Sequence, residues 1–128
     1  MTHTNLDIGV ARQIGTYSDA VLVKPNLRWL MTSGTPGLSE TGILPGDITG
    51  QAELAWEHIV HMLERAEMTV ADVVKVTQYL TRAEDIPAYV KVRKRVLGEA
   101  RPAFMLFVVS QLVRREFLVE VEITAARA

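Results

Sequence analysis

The apolar positions of the chain fall into two rhythms. Ala20 to Val23 is a short β-type run ended by the turn signal Pro25-Asn26, and Arg28 to Thr32 reads as a second strand. Two such runs on either side of a turn predict a hairpin. Ser33 to Asp47 holds Gly34, Gly37, Gly42 and Gly46 with Pro36 and Pro45, which predicts a long loop. The rhythm then changes. Ala52, Ala55, Ile59, Met62, Leu63 and Ala66 form one stripe at helical spacing, predicting a helix over Thr49 to Glu67. Ala71 to Leu80 is rich in valine with Thr77 and Tyr79, a strand composition. Thr81 and Glu84 have capping-box spacing and Pro87 suits a first turn, so a second helix is expected to run to about Leu97 and stop at Gly98. Pro102 opens a strand over Ala103 to Val109, Arg114-Arg115 is a polar turn, and Phe117 to Thr124 is the last strand.

The order β-β-α-β-α-β-β predicts an α+β fold, with one mixed sheet and two helices on one of its faces. The run Phe104-Met105-Leu106-Phe107-Val108-Val109 does not alternate, although a strand with one wet face should. Both faces of this strand are therefore expected to be covered. Two helices account for one face, and the chain has no residues left for the other. A second copy of the chain in a closed symmetric assembly is the expected cover.

The 128 residues (14.2 kDa) correspond to one domain over 1–128. Hydrophobic residues make up 48% and charged residues 23%, an ordinary globular balance. The net charge of -1 offers no general attraction for nucleic acid or an anionic membrane. Without cysteine there is no disulfide, thiolate metal site or cysteine nucleophile. Met1 to Gly9 is polar and lacks a secretory design, His3 is expected in a mobile terminus, and no apolar run is long enough to span a bilayer. A soluble cytoplasmic protein is expected.

Candidate chemistry is sparse. In the last strand Val119, Val121 and Ile123 share one face, and Glu120 and Glu122 share the other. If the apolar three meet the helices, both carboxylates face the surface that a neighbouring copy covers. There the charged form is disfavoured, which moves a carboxyl toward general acid–base work near neutral pH. Periodicity alone favours the plainer alternative, solvated or ion-paired strand glutamates. His58 and His61 sit three apart without a third strong ligand, so they read as a solvated helix face rather than a metal site. Lys91, Arg93, Lys94 and Arg95 read in the same way, as a solvated basic face. The glycine-rich loop lacks the ending of a phosphate loop, although Gly34 directly after a strand lets a ligand approach the backbone.

Taken in order, Ile14-Gly15-Thr16-Tyr17-Ser18, Thr32-Ser33-Gly34, Thr41-Gly42 through Pro45 and Asp47, Gln51, Asp72-Val73-Val74-Lys75-Val76-Thr77, Arg101-Pro102-Ala103 and Val119-Glu120-Val121-Glu122 resemble the Rid family, also called YjgF or endoribonuclease L-PSP-like proteins. The likeness runs from about residue 12 to 125. It implies a bacillary chorismate-mutase-like fold assembled as a homotrimer, with clefts between subunits. It also implies hydrolysis of reactive enamines and imines to a 2-oxo acid and ammonia, with no metal and no organic cofactor. Tyr17, Ser33, Gly34 and Glu120 match the family's pocket, and the equivalent glutamate there positions or activates water.

The family's carboxylate-binding arginine is replaced by Phe104, its cysteine two residues on by Leu106, and its helix asparagine by Lys91. Losing a bidentate charge pair weakens binding of a small anionic substrate, each ~1.4 kcal/mol being tenfold. The residues therefore imply a more apolar pocket formed by Tyr17, Ser33, Gly34, Phe104 and Leu106. Glu120 is its catalytic group and its expected charge, and the ligand is larger, less anionic or aromatic. Arg101, three positions before Phe104, is expected on the opposite face. The two functions that follow are an imine or enamine hydrolase with an atypical small-molecule substrate, and a non-catalytic ligand-binding or regulatory trimer. The ribonuclease reading finds no basic groove to support it, so no nucleic-acid or membrane partner is expected.

Overall fold

A computed structural model describes residues 2–128. Its strands are β1 (His3–Leu6), β2 (Ala20–Val23), β3 (Arg28–Met31), β4 (Thr35–Pro36), β5 (Val73–Leu80), β6 (Ala103–Val108) and β7 (Val119–Arg127). The helices are α1 (Ile48–Arg65) and α2 (Ile86–Leu97). The fold is α+β. Its main sheet is five-stranded, in the order β3-β7-β5-β6, with β4 also pairing β7. The sheet is mixed, because β5 and β6 run parallel while β7 is antiparallel to β3, β4 and β5.

The expected hairpin of β2 with β3 does not form. β2 instead pairs β1 in a separate two-stranded sheet, and β3 joins β7 through Leu30 opposite Ala125. Asn26, at a φ of 60°, turns the chain from one sheet to the other. Closeness in sequence suggests pairing. Here Leu30 gains more by packing against the main core, which the small Ala125 allows. His3, expected in a mobile start, lies in β1 opposite Val23.

α1 follows from its stripe. Asp47 caps it by accepting from Gly50 N at 2.9 Å. Ala52, Ala55, Trp56, Ile59 and Leu63 are buried against the sheet. On that same face of the sheet lie Val76, Leu80, Val119, Val121, Ile123 and Ala125, all part of one core. The Thr81–Glu84 capping box is not made. A single 3-10 turn over Ala83–Asp85 leads into α2 instead, and the Asp85 carboxylate takes Arg82 Nε at 2.8 Å. Pro87 sits in the first turn of α2, and Gly98 ends it at a φ of 57°.

β6 lies at the edge of the sheet. Phe104 and Leu106 are half-buried toward the helices, whereas Met105 and Phe107 on the other face are 47% and 42% exposed. Both faces of this strand were expected to be covered, and within one chain only the helix side is. Met31 on β3, at 72% exposure, extends the uncovered apolar surface. Among the described residues no helix is long and apolar enough to cross a membrane.

Candidate functional site

The sheet separates the sequence-predicted site residues into two groups. In the register of β6 with β5, Phe104 lies opposite Val76 and Leu106 opposite Gln78, so both share the helix-covered face. In the register of β7 with β5, Glu120 lies opposite Tyr79 and Glu122 opposite Thr77, on the other face. A single chain therefore does not bring Phe104 and Glu120 to one pocket.

Tyr17, Phe104 and Leu106 form the first group. The segment before Tyr17 is held by Asp19, which accepts from Ile8 N at 2.7 Å and Ala11 N at 2.8 Å. These donors, Ile8 foremost, hold the Asp19 carboxyl below its ordinary range. Ser18 donates its hydroxyl to Arg101 O, and its amide reaches Pro102 O at 3.1 Å, which ties the segment to the start of β6. Tyr17 thereby stacks on Phe104, with ring centroids 5.1 Å apart and planes at 24°. Together with Ile14, Ile86, Val90 and Leu106 they line a cavity of about 400 Å³. Arg101 lies outside this cavity, donating through Nη1 to Gly98 O and Ala100 O.

Three polar residues of this cavity were not expected. Gln78, fully buried on β5, and Arg93, 6% exposed on α2, both line it, as does the exposed Lys94 of α2. Gln78 Oε1 accepts from Tyr89 Oη at 2.6 Å and Arg93 Nη1 at 2.9 Å, while its Nε2 donates to Met105 O at 3.0 Å. Trp56 Nε1 donates to Tyr89 Oη at 3.3 Å. The Arg93 guanidinium carbon stands 4.2 Å from the centroid of the Phe104 ring. The expected solvated basic face therefore holds only in part. Lys91, Lys94 and Arg95 are exposed, whereas Arg93 points inward. The signal was present in the sequence, because Ile86, Tyr89, Arg93 and Leu97 recur at 3, 4 and 4. Gln78 likewise alternates with Val76 and Leu80 on the inward face of β5.

Ser33, Gly34 and Glu120 form the second group. β4 pairs β7 with Pro36 opposite Glu120, and this brings the Ser33-Gly34 turn to the carboxylate. A Cβ on Gly34 would lie 2.6 Å from Glu120 Oε1, so the glycine makes room for the side chain. Burial, and then the charge of Glu122, push the Glu120 carboxyl above its ordinary range. Glu122 is differently placed, with Oε1 accepting from Tyr79 Oη at 2.9 Å. Tyr79 stacks on Phe107 at 5.6 Å. A carboxyl of raised pKa beside exposed backbone can take a proton from water and return it.

His58 and His61 do not gather further ligands. His58 Nε2 lies 2.7 Å from Leu38 O, and no group of three or more His, Cys, Asp or Glu side chains is placed to hold a metal among the described residues.

The sequence model of the endoribonuclease L-PSP family matches residues 10–127. A RutC family protein of Pyrococcus abyssi is 36% identical over 116 residues, covering 89% of this chain and 88% of the relative. TdcF of Escherichia coli, named as a reactive intermediate deaminase, is 28% identical over 102 residues, covering 77% and 79%. Among solved structures, a Rid family protein of Yersinia pestis superposes with a TM-score of 0.87 at 22% identity over 99% of this chain and 100% of that one, a likeness of fold. TdcF with bound serine superposes with a TM-score of 0.74 at 27% identity over 90% and 91%. With its sheet and helices arranged as described and the match extending over nearly its whole length, the chain belongs to the endoribonuclease L-PSP family, the Rid or YjgF proteins.

Proposed function

We propose that the chain is an imine or enamine hydrolase that acts in a cleft between two copies of a homotrimer and releases ammonia. The observation that carries this reading is the state of Glu120. Its carboxyl is half-buried beside Gly34, with its pKa raised by burial and by Glu122. In the proposed step Glu120 takes a proton from water as the oxygen bonds to the C=N carbon. That proton goes to nitrogen, giving a carbinolamine; Glu120 then takes the hydroxyl proton and passes it to nitrogen as the C=O bond forms and the C–N bond breaks, leaving a carbonyl compound and ammonia. Such bonds hydrolyse readily once water and proton are placed, so the reaction asks little more of the protein. No metal or organic cofactor takes part in this scheme.

Assembly into a trimer is supported by the uncovered apolar side of the sheet, where Met31, Met105 and Phe107 are exposed. A neighbour there can set its own Tyr17–Phe104 cavity against the Glu120 group, joining the two groups that one chain keeps apart. The apolar lining favours a substrate with an aromatic or branched body. A small-molecule substrate is further supported by the serine bound in the TdcF structure, and the reaction class by that relative's name.

The test follows ammonia release from a panel of aliphatic and aromatic imines generated in situ. The wild-type protein is expected to accelerate release from aromatic members, and Glu120→Ala to lower the rate by at least ~100-fold. Equal rates for the two proteins would remove Glu120 from the reaction.

The replacement of the family's clamp by Phe104 favours a second reading, a binding or regulatory trimer without turnover. That reading predicts a ligand that raises the melting temperature and is recovered unchanged.

A further inference from the structure

We infer that Arg93 is an anion-binding residue, and that the cavity it lines takes a monocarboxylate with an aromatic or branched apolar body. This deepens the functional reading above by naming the charged group of the ligand. It rests on that reading for the chemistry and stands apart from it for the binding.

Arg93 is 6% exposed, yet among the described residues no carboxylate lies within ion-pair distance of it. Arginine is almost never buried unless paired, because an uncompensated charge is costly away from water. Its hydrogen bonds are also incomplete. Nη1 donates to Gln78 Oε1, while Nε is buried with no acceptor and Nη2 meets none among the described residues. Nε and Nη2 together form the side-on edge of a guanidinium, the fork that binds a carboxylate through two parallel bonds.

Gln78 cannot make up the deficit. It is a neutral amide whose oxygen already takes two bonds, from Tyr89 and Arg93, and whose nitrogen is committed to Met105 O. It holds the guanidinium in place without supplying charge. The rings of Phe104 at 4.2 Å and Tyr89 at 5.8 Å from the guanidinium carbon offset part of the cost and fix its plane. What remains unsatisfied borders a cavity of about 400 Å³ walled by Tyr17, Phe104 and apolar side chains, with the exposed Lys94 as a second cation in its lining. Lys94 keeps its contact with solvent, so the unmet demand is that of buried Arg93, and an apolar chamber of that size around it selects a ligand with one carboxylate and an apolar body. The pocket is thus less apolar than the replacement of the family arginine by Phe104 suggested. A cation re-enters it from the helix instead of the strand.

The experiment is a calorimetric titration of the full-length protein with phenylacetate and with its neutral counterpart, 2-phenylethanol. Wild type is expected to bind the acid at least tenfold more tightly than the alcohol. Arg93→Met should abolish that preference, and Arg93→Lys, which keeps a point charge but not the fork, should retain part of it. Equal affinity of wild type for acid and alcohol, or no binding of the acid, overturns the inference. So does an undiminished preference in Arg93→Met. If Arg93→Met fails to fold, the acid-against-alcohol comparison in wild type and the loss in Arg93→Lys still decide. Preference for the acid without any ammonia release from imines would defeat the hydrolase reading and leave the Arg93 site standing.

Discussion

The guanidinium of Arg93 lies over the face of Phe104, which in turn stacks on Tyr17. Three side chains from α2, β6 and the segment before β2 thus hold one another in a fixed order, the cation against one ring and that ring against the next. Phe104→Leu keeps an apolar side chain of similar reach but removes both ring interactions. It should lower stability by about 1–2 kcal/mol, the sum of a desolvated cation–π contact and a stacked pair. Urea denaturation with an unchanged slope would measure it.

Gln78 joins that arrangement to the core. Its amide is the sole acceptor for Tyr89 Oη and Arg93 Nη1 among the described residues, and burial pushes the Tyr89 phenol pKa up, so the phenol stays a donor. Gln78→Leu leaves two donors without an acceptor in a closed space, one of them charged. A loss of about 3 kcal/mol is expected, seen as a lower denaturation midpoint. A loss below ~1 kcal/mol would mean that water or a shifted Arg93 takes over.

Two glycines of the loop after β3 should respond differently to alanine. At Gly37 the new Cβ would lie 2.2 Å from Gln51 O, a backbone atom of α1 that cannot move aside alone. Gly37→Ala is expected to cost about 3 kcal/mol. At Gly34 the clash is with Glu120 Oε1, the free end of a flexible side chain. Gly34→Ala should cost less than about 1 kcal/mol, yet turn the carboxylate from its place and lower ammonia release. Melting temperature and rate, measured on both variants, separate the two effects.

The raised pKa of Glu120 has a definite sign in stability. Between the ordinary glutamate pKa and the raised one, the folded chain binds more protons than the unfolded chain. Stability then falls as pH rises through that window. Glu120→Gln removes this contribution, so its stability should fall less than that of wild type from pH 4 upward. Denaturation midpoints at several pH values would show the difference, and parallel curves would count against a raised pKa.

Burial wrote periodicity into α1 and β7, valine-rich composition into β5 and an unbroken apolar run into β6, while Pro87 and Gly98 bounded α2. Val76, Leu80, Val119, Val121 and Ile123 are inward-facing positions that only a half-covered sheet explains. β1 escaped notice because His3–Leu6 carries almost no apolar alternation and depends on pairing with β2. The β2–β3 hairpin misled because four-residue runs do not record which sheet they join. At the site, Glu120 and Glu122 were separable from Val119 and Val121 by alternation alone, and the family likeness supplied Tyr17, Ser33, Gly34, Phe104 and Leu106. Arg93 was lost in a cluster of basic residues. Its burial depends on Tyr89, Gln78 and Phe104, which come from three elements and meet only in the folded chain.

The proposed reaction needs the Tyr17–Phe104 group of one copy and the Glu120 group of another to make a single working cleft. Co-expression of Tyr17→Ala with Glu120→Ala puts this to the test, since each variant damages one group and leaves the other whole. Random mixing in a closed ring gives intact clefts at about one in four interfaces. The mixed assemblies should therefore regain about a quarter of wild-type ammonia release, while each variant alone stays near background. Mixed assemblies no more active than the separate variants would contradict the claim.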